Sequence, residues 1–369
     1  AGAGWLGAGI AGSLSGQLGT TAGPGVPGID AHNRDLLAAD LESTDAATLA
    51  MALGVRAALQ RAAADGGVGQ LLVYESPHDG GQGRAAISVG DITTADNVAT
   101  LAPGVGNAPV NMVEGISDAA ALRRQAELEA PGDATAVVSW YGYDIPLSAV
   151  RGVPVDLFSA LGNTVAALDD RNARAGGSQL VTDLAQFRHW APDGARFVAV
   201  GFSMGSTTVS AAAARGARLD DLVLLGSPGA STDVETADDY PDVPADHTFV
   251  VSYDQDPVTR GQTDLLAGVL GAAIHGPTQS TPFGPDPASK GFGAQVVDAD
   301  SNNPDINVEL HTGGLGGPLA DLLGSELADQ FADLAAHHQE SNYLSGESLD
   351  AVAAVVVGQY SDVPVKPGR

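Results

Sequence analysis

Gly201-Phe202-Ser203-Met204-Gly205 follows the apolar run Phe197-Val198-Ala199-Val200 and leads into Ser206-Thr207-Thr208 and an alanine-rich stretch. A strand, a G-x-S-x-G and a helix start, in that order, are the setting in which a serine hydroxyl is raised as a nucleophile. Such a serine sits in a tight, strained turn, and flanking glycines remove the side chains that would collide there. The Ser203 hydroxyl is then expected above the C-terminal edge of a sheet. The helix N-terminus and the Met204 amide would face the negative charge that develops during acyl transfer.

A serine nucleophile needs a base, an acid that orients the base, and a second oxyanion donor. In the chain order serine, acid, histidine, the acid follows the strand after the one that succeeds the nucleophile. Asp254-Gln255-Asp256-Pro257-Val258 occupies that place. Asp256 is favoured because Pro257 fixes the turn that presents it, whereas Asp254 reads as a loop cap. The second donor belongs to the loop after the third strand, where Pro103-Gly104-Val105 stands. Gly104 permits close backbone approach, and the Val105 amide is the expected partner of the Met204 amide. Tyr141 and Tyr143 follow the fourth strand and fall near the same edge, either lining an acyl pocket or packing over the turn. Trp140 reads as core.

The elements that must position these groups alternate strand and helix, the pattern of an α/β sheet. Expected strands are 71–74 and 85–89, forming an opening hairpin, then 97–101, 135–138, 197–200, 222–225 and 248–253, with a further one at 294–297. A helix with Leu36, Leu37 and Leu41 on one stripe begins near Asp30, after the Gly/Pro segment at 24–28. A second helix, capped by Thr44 or Asp45, stops at Gly66-Gly67. Further helices are expected at 119–129, up to Trp190, after Ser206 and near 318–336. Three parts follow: a Gly/Pro-rich flexible segment over 1–29, an N-terminal helical extension over 30–66, and the catalytic domain over 67–369. Residues 230–246 and 257–336 break the rhythm and are expected to form lids or insertions.

Composition narrows the partners. The 369 residues carry a formal net charge of -28, with Lys290 and Lys366 the only lysines. So acidic a surface repels nucleic acid and anionic membrane, and it serves solubility or adaptation to salt. A hydrophobic fraction of 44% with only 5% aromatics implies a core of Ala, Val and Leu. The absence of cysteine excludes thiol catalysis, thiolate metal sites and disulfides. No run of about 20 apolar residues spans a membrane. Residues 1–29 are uncharged and Gly-rich without a basic start, reading as a processed end, a linker or a fragment boundary. Secretion or a cell-envelope location is the expectation, with the cytoplasm as the alternative.

Several motifs in order carry a family resemblance over residues 30–360. They are Gly83-Arg84-Ala85-Ala86 with Val89-Gly90-Asp91, Ala95 to Ala99 with Pro103-Gly104, and Ser139 to Pro146. Gly201 to Ser206, Leu224 to Gly229, Asp256-Pro257-Val258 and Phe292-Gly293-Ala294 complete the set. The chain resembles the actinobacterial α/β-hydrolase family long catalogued as a domain of unknown function. The resemblance implies the α/β-hydrolase fold: a doubly wound, mostly parallel sheet, here with an N-terminal helical extension and a long insertion before the catalytic histidine.

The family's late motif resembles His-Ser-x-Tyr followed by a Ser-Leu-containing helix. Ser341-Asn342-Tyr343-Leu344 and Ser348-Leu349 fit it, but Glu340 precedes Ser341, and His337 and His338 lie slightly upstream. An insertion of Gln339 and Glu340 makes His338 the base, with His337 and then His311 as alternatives. His275 precedes the final expected strand and reads as lining or packing. The expected activity is cleavage of a small-molecule carboxylic ester through an acyl-enzyme, with no metal and no cofactor. The same groups serve an amidase or acyltransferase, and the displaced histidine keeps a non-catalytic binding module as the rival.

Overall fold

The computed structural model describes residues 25–144, 170–253, 256, 258–259, 280–299 and 343–368. Two helices precede the sheet, α1 (Val26–Asp40) and α2 (Ala46–Gly66). Helix α1 starts four residues before the expected position, because a proline fits the first helical turn and Pro27 stands there. Its apolar stripe is narrower than expected: Leu37 is buried, while Leu36 points outward. The polar residues of α1 supply the rest of the contact. Asp30 accepts the Leu71 amide at 2.7 Å, Asn33 donates to the Leu71 carbonyl at 2.8 Å, and Arg34 donates to the Gly69 carbonyl at 2.6 Å. These bonds occupy backbone groups of an edge strand that would otherwise be open to pairing with another chain. Asp45, not Thr44, caps α2 by accepting the Thr48 amide at 2.8 Å, and Gly67 closes the helix in the left-handed conformation.

The strands are β1 (Gly69–Glu75), β2 (Arg84–Val89), β3 (Asn97–Ala102), β4 (Thr135–Tyr141), β5 (Arg196–Phe202), β6 (Asp221–Leu225), β7 (Thr248–Val251), β8 (Gln295–Val297) and β9 (Val365–Lys366). They form one sheet in the order β1-β2-β4-β3-β5-β6-β7-β8-β9. Neighbours from β4 to β8 run parallel, the expected hairpin β1–β2 is antiparallel, and β9 adds an antiparallel edge that its two residues did not announce. The remaining helices are α3 (Val113–Glu129), α4 (Arg171–Trp190), α5 (Met204–Ala214) and α6 (Gly346–Val356).

Both faces of the sheet are covered. Leu37, Met51, Val55, Ile116, Leu122 and Val352 pack with one face, so α2, α3 and α6 lie on that side. Leu180, Leu184, Phe187, Val209 and Ala213 pack with the other, which carries α4 and α5. The segment 230–246 joins this second layer through buried Ala230, Val234, Ala237, Tyr240 and Val243. Those side chains hold it to the sheet.

The connection from β3 leads to β4 on one side, and that from β5 leads to β6 on the other. Loops leaving β3 and β5 therefore diverge and open a crevice at the carboxyl ends of these two strands, the usual place for a ligand in an open α/β sheet.

Candidate active site

Ser203 stands at that crevice, between the end of β5 and the start of α5. Its backbone has φ 53° and ψ -125°, a conformation costly for any residue with a side chain. The surrounding sterics explain the two glycines. A Cβ at position 201 would fall 2.4 Å from the Gly205 carbonyl oxygen, and one at position 205 would fall 2.1 Å from the Ala102 carbonyl oxygen. Both strands and the helix can meet only if those positions are bare. The Ser203 carbonyl accepts the Ser206 amide at 2.9 Å and the Ser206 hydroxyl at 2.5 Å, which ties the turn to the first turn of α5. Thr207 and Ser210 donate to the carbonyls of Gly229 and Ala230 at 2.8 and 2.5 Å, so the loop after β6 braces the same helix.

The loop after β3 lies against Ser203. A Cβ at Gly104 would stand 2.7 Å from the Ser203 Cβ. The Tyr143 hydroxyl donates to the Pro103 carbonyl at 2.8 Å, Asn107 to the Gly104 carbonyl at 3.3 Å, and Asn111 to the Gly106 carbonyl at 2.9 Å. Loop carbonyls are thus held by side chains, while the amides of Val105 and Met204 enter none of these bonds. Met204 is buried and Val105 is exposed. Preorganised amides beside a nucleophile are what an oxyanion requires.

Tyr141 and Tyr143 separate. Tyr141 ends β4 and packs into the core on the α3 side, its hydroxyl so near Gly115 that a Cβ there would lie 2.4 Å away. Tyr143 stacks on Trp140 and braces the Pro103 carbonyl. Trp140 is fully buried and donates to Asp183 at 2.7 Å, beside Arg84.

Asp256 follows β7 and is fully buried. Its Oδ1 accepts the Val258 amide at 2.8 Å, and its Oδ2 accepts the Tyr343 hydroxyl at 2.5 Å. Tyr343 is itself fully buried, with its ring 5.5 Å from Phe202 and 4.5 Å from Tyr253. Burial first, and the neighbouring Asp256 second, push its phenol well above the usual tyrosine range. Sequence reading placed Tyr343 in a motif but gave it no role, because its partner lies 87 residues away and no local spacing links them.

His338, His337, His311 and His275 lie outside the described residues, as does Asp254. The four other histidines are placed elsewhere. His32 and His189 are exposed on α1 and α4, and His78 is exposed in the β1–β2 loop. His247 stands at the start of β7, on the sheet edge opposite Ser203, where it meets Asp221 and Tyr360 at 3.0 and 3.1 Å. Arg196 pairs with Asp221 there, and burial pushes the Asp221 carboxyl up despite that partner. Among the described residues, no cluster of three His, Asp or Glu side chains is arranged to hold a metal ion. Among them, too, no helix is long and apolar enough to cross a membrane.

Two uncharacterized proteins of Mycobacterium tuberculosis, from strains CDC 1551 / Oshkosh and ATCC 25618 / H37Rv, are each 30% identical to the chain over 312 residues. The match takes in 80% of this chain and 43% of each relative, so the chain spans less than half of their length. Among solved structures, the hyperthermophilic esterase from the archaeon Pyrobaculum calidifontis is similar at 12% identity and a TM-score of 0.38, covering 88% of this chain and 97% of that one. The esterase LipW from Mycobacterium marinum is similar at 17% identity and a TM-score of 0.32, covering 63% of this chain and 82% of that one. The alpha/beta hydrolase family profile matches residues 79–265, from the β1–β2 loop past Ser203 and Asp256. With that match over half of its length, the chain belongs to the alpha/beta hydrolase family.

Proposed function

We propose that the protein is a serine hydrolase that cleaves a carboxylic ester through an acyl-enzyme. The observation that carries this reading is the Ser203 backbone at φ 53°, held at the switch point of the sheet with the Gly104 loop against its Cβ. A strained serine at a ligand crevice costs stability and is retained where the strain serves chemistry.

In this reading Ser203 Oγ attacks the ester carbonyl carbon as an imidazole takes its proton. The carbonyl oxygen becomes an oxyanion facing the Val105 and Met204 amides. Collapse breaks the carbon–oxygen bond to the leaving group, the imidazolium returns the proton to the departing alkoxide, and an acyl ester remains on Ser203. Water, deprotonated by the same imidazole, attacks that ester and releases the acid and the free serine. Asp256 holds the imidazole through its Oδ atoms and balances the charge it gains. The base in this reading is His338 by its place beside the late motif, with His337 and His311 next in order.

Hydrolysis of p-nitrophenyl esters of increasing chain length tests the reading. Turnover that disappears in Ser203→Ala supports it. Turnover that survives the substitution, or no turnover across the panel in the folded wild type, overturns it.

A further inference from the structure

Asp256 is fully buried, and its two oxygens accept from the Val258 amide and the Tyr343 hydroxyl. An ionised carboxylate only accepts, with about four lone-pair sites over two oxygens. One donor on each oxygen fixes the orientation of the carboxyl plane. The phenol is held in turn from three sides. Its ring lies against Phe202, the residue before the nucleophile, and against Tyr253 at the end of β7. The Tyr253 backbone hydrogen-bonds its hydroxyl. Ser348, in the first turn of α6, donates to its carbonyl at 2.6 Å. One residue thus joins the nucleophile's strand and the acid's loop through its side chain, and α6 through its carbonyl.

We infer that Tyr343 is a positioning residue, which fixes the Asp256 carboxylate in the orientation that the base requires through the hydroxyl bond to Oδ2. The inference rests on the serine-hydrolase reading above. Burial and the adjacent carboxylate keep the phenol neutral, so it remains a donor throughout the range in which such an enzyme works.

The test uses a biotinylated alkyl fluorophosphonate, whose reaction at Ser203 Oγ forms the oxygen–phosphorus bond, expels fluoride and passes the serine proton to the base. Tyr343→Phe keeps the ring and removes the hydroxyl. A lost hydrogen bond to a charged group predicts a fall of roughly 10- to 100-fold in the maximal labelling rate, with little change in the half-saturating probe concentration. The fall should vanish when the same change is made in Asp256→Asn, since the hydroxyl acts through that carboxylate. A purely structural tyrosine would slow both backgrounds equally, and that result overturns the inference. So does a Tyr343→Phe rate equal to wild type. If Tyr343→Phe does not fold, 3-fluorotyrosine at this position preserves shape and makes the hydroxyl a stronger donor. A shifted labelling rate then supports the role, and an unchanged rate overturns it. No labelling of Ser203 in the folded wild type fails the serine-hydrolase reading itself, a result separable from the others.

Discussion

Gly104→Ala is the sharpest perturbation of the crevice, because it adds one methyl group beside Ser203 and nothing else. Gly104 does not use a positive φ, so alanine can adopt the same backbone without strain. The effect is therefore steric. The new Cβ would lie 2.7 Å from the Ser203 Cβ, 3.1 Å from Phe202 Cδ1 and 3.2 Å from the Phe202 carbonyl oxygen. Carbon–carbon contacts normally settle at about 3.5–4.0 Å, so the loop or the serine must yield by roughly 1 Å. Overpacking of this kind costs about 1–3 kcal/mol in stability. A 1 Å misplacement of catalytic groups costs about 100-fold in rate. The expected result is thus a modest drop in thermal midpoint and an acylation rate about 100-fold lower on a p-nitrophenyl ester, read from the pre-steady-state burst. Gly67→Ala is the control: its φ of 72° makes alanine strained, but nothing lies within 4 Å. It should lose about 1 kcal/mol in stability and keep its acylation rate. Equal acylation by Gly104→Ala and wild type would refute the placement of the loop against Ser203.

Three further outcomes are expected. Asp256→Asn should lower the acylation rate about 10⁴-fold, measured on the same ester, with the far-ultraviolet spectrum unchanged. Asp118 on α3 has its carboxyl pushed up from 3.8 to about 6, by burial first and by Glu114 second. As pH rises from 3.8 to 6 the unfolded chain loses that proton before the folded one, so stability falls through this window and the loss is complete above it. Asp118→Asn should therefore gain about 1–3 kcal/mol at pH 7.5 and nothing below pH 4, by urea denaturation at both values. Asp221→Ala strands Arg196 at the far sheet edge and should cost about 3–5 kcal/mol in the same assay, with acylation unchanged in the folded protein.

What was legible in the sequence was local. Gly201, Ser203 and Gly205 form one turn, and their types announced the strained backbone that the structure shows, although Gly205 is bare because the Ala102 carbonyl of β3 passes it. Gly104 was legible by counting strands to the third, and Asp256 by counting to β7. Where contacts cross the chain, the residues gave no notice. Tyr343 meets Asp256 across 87 residues, and Arg196, Asp221, His247 and Tyr360 converge from four separate elements. Periodicity also misassigned Leu36, because α1 rests on β1 largely through Asp30, Asn33 and Arg34. Tyr141 and Tyr143 look alike in sequence, yet Tyr141 packs on the α3 side of the sheet while Tyr143 stacks on Trp140 and braces the Pro103 carbonyl.

The central claim is that Ser203 is an activated nucleophile, and covalent labelling tests it most directly. A fluorophosphonate incubated with the folded protein should leave one adduct, mapped by tandem mass spectrometry to the peptide containing Ser203. The adduct should be absent from Ser203→Ala and from protein unfolded before labelling. An adduct that persists in Ser203→Ala, or no adduct in the folded wild type, would contradict the account.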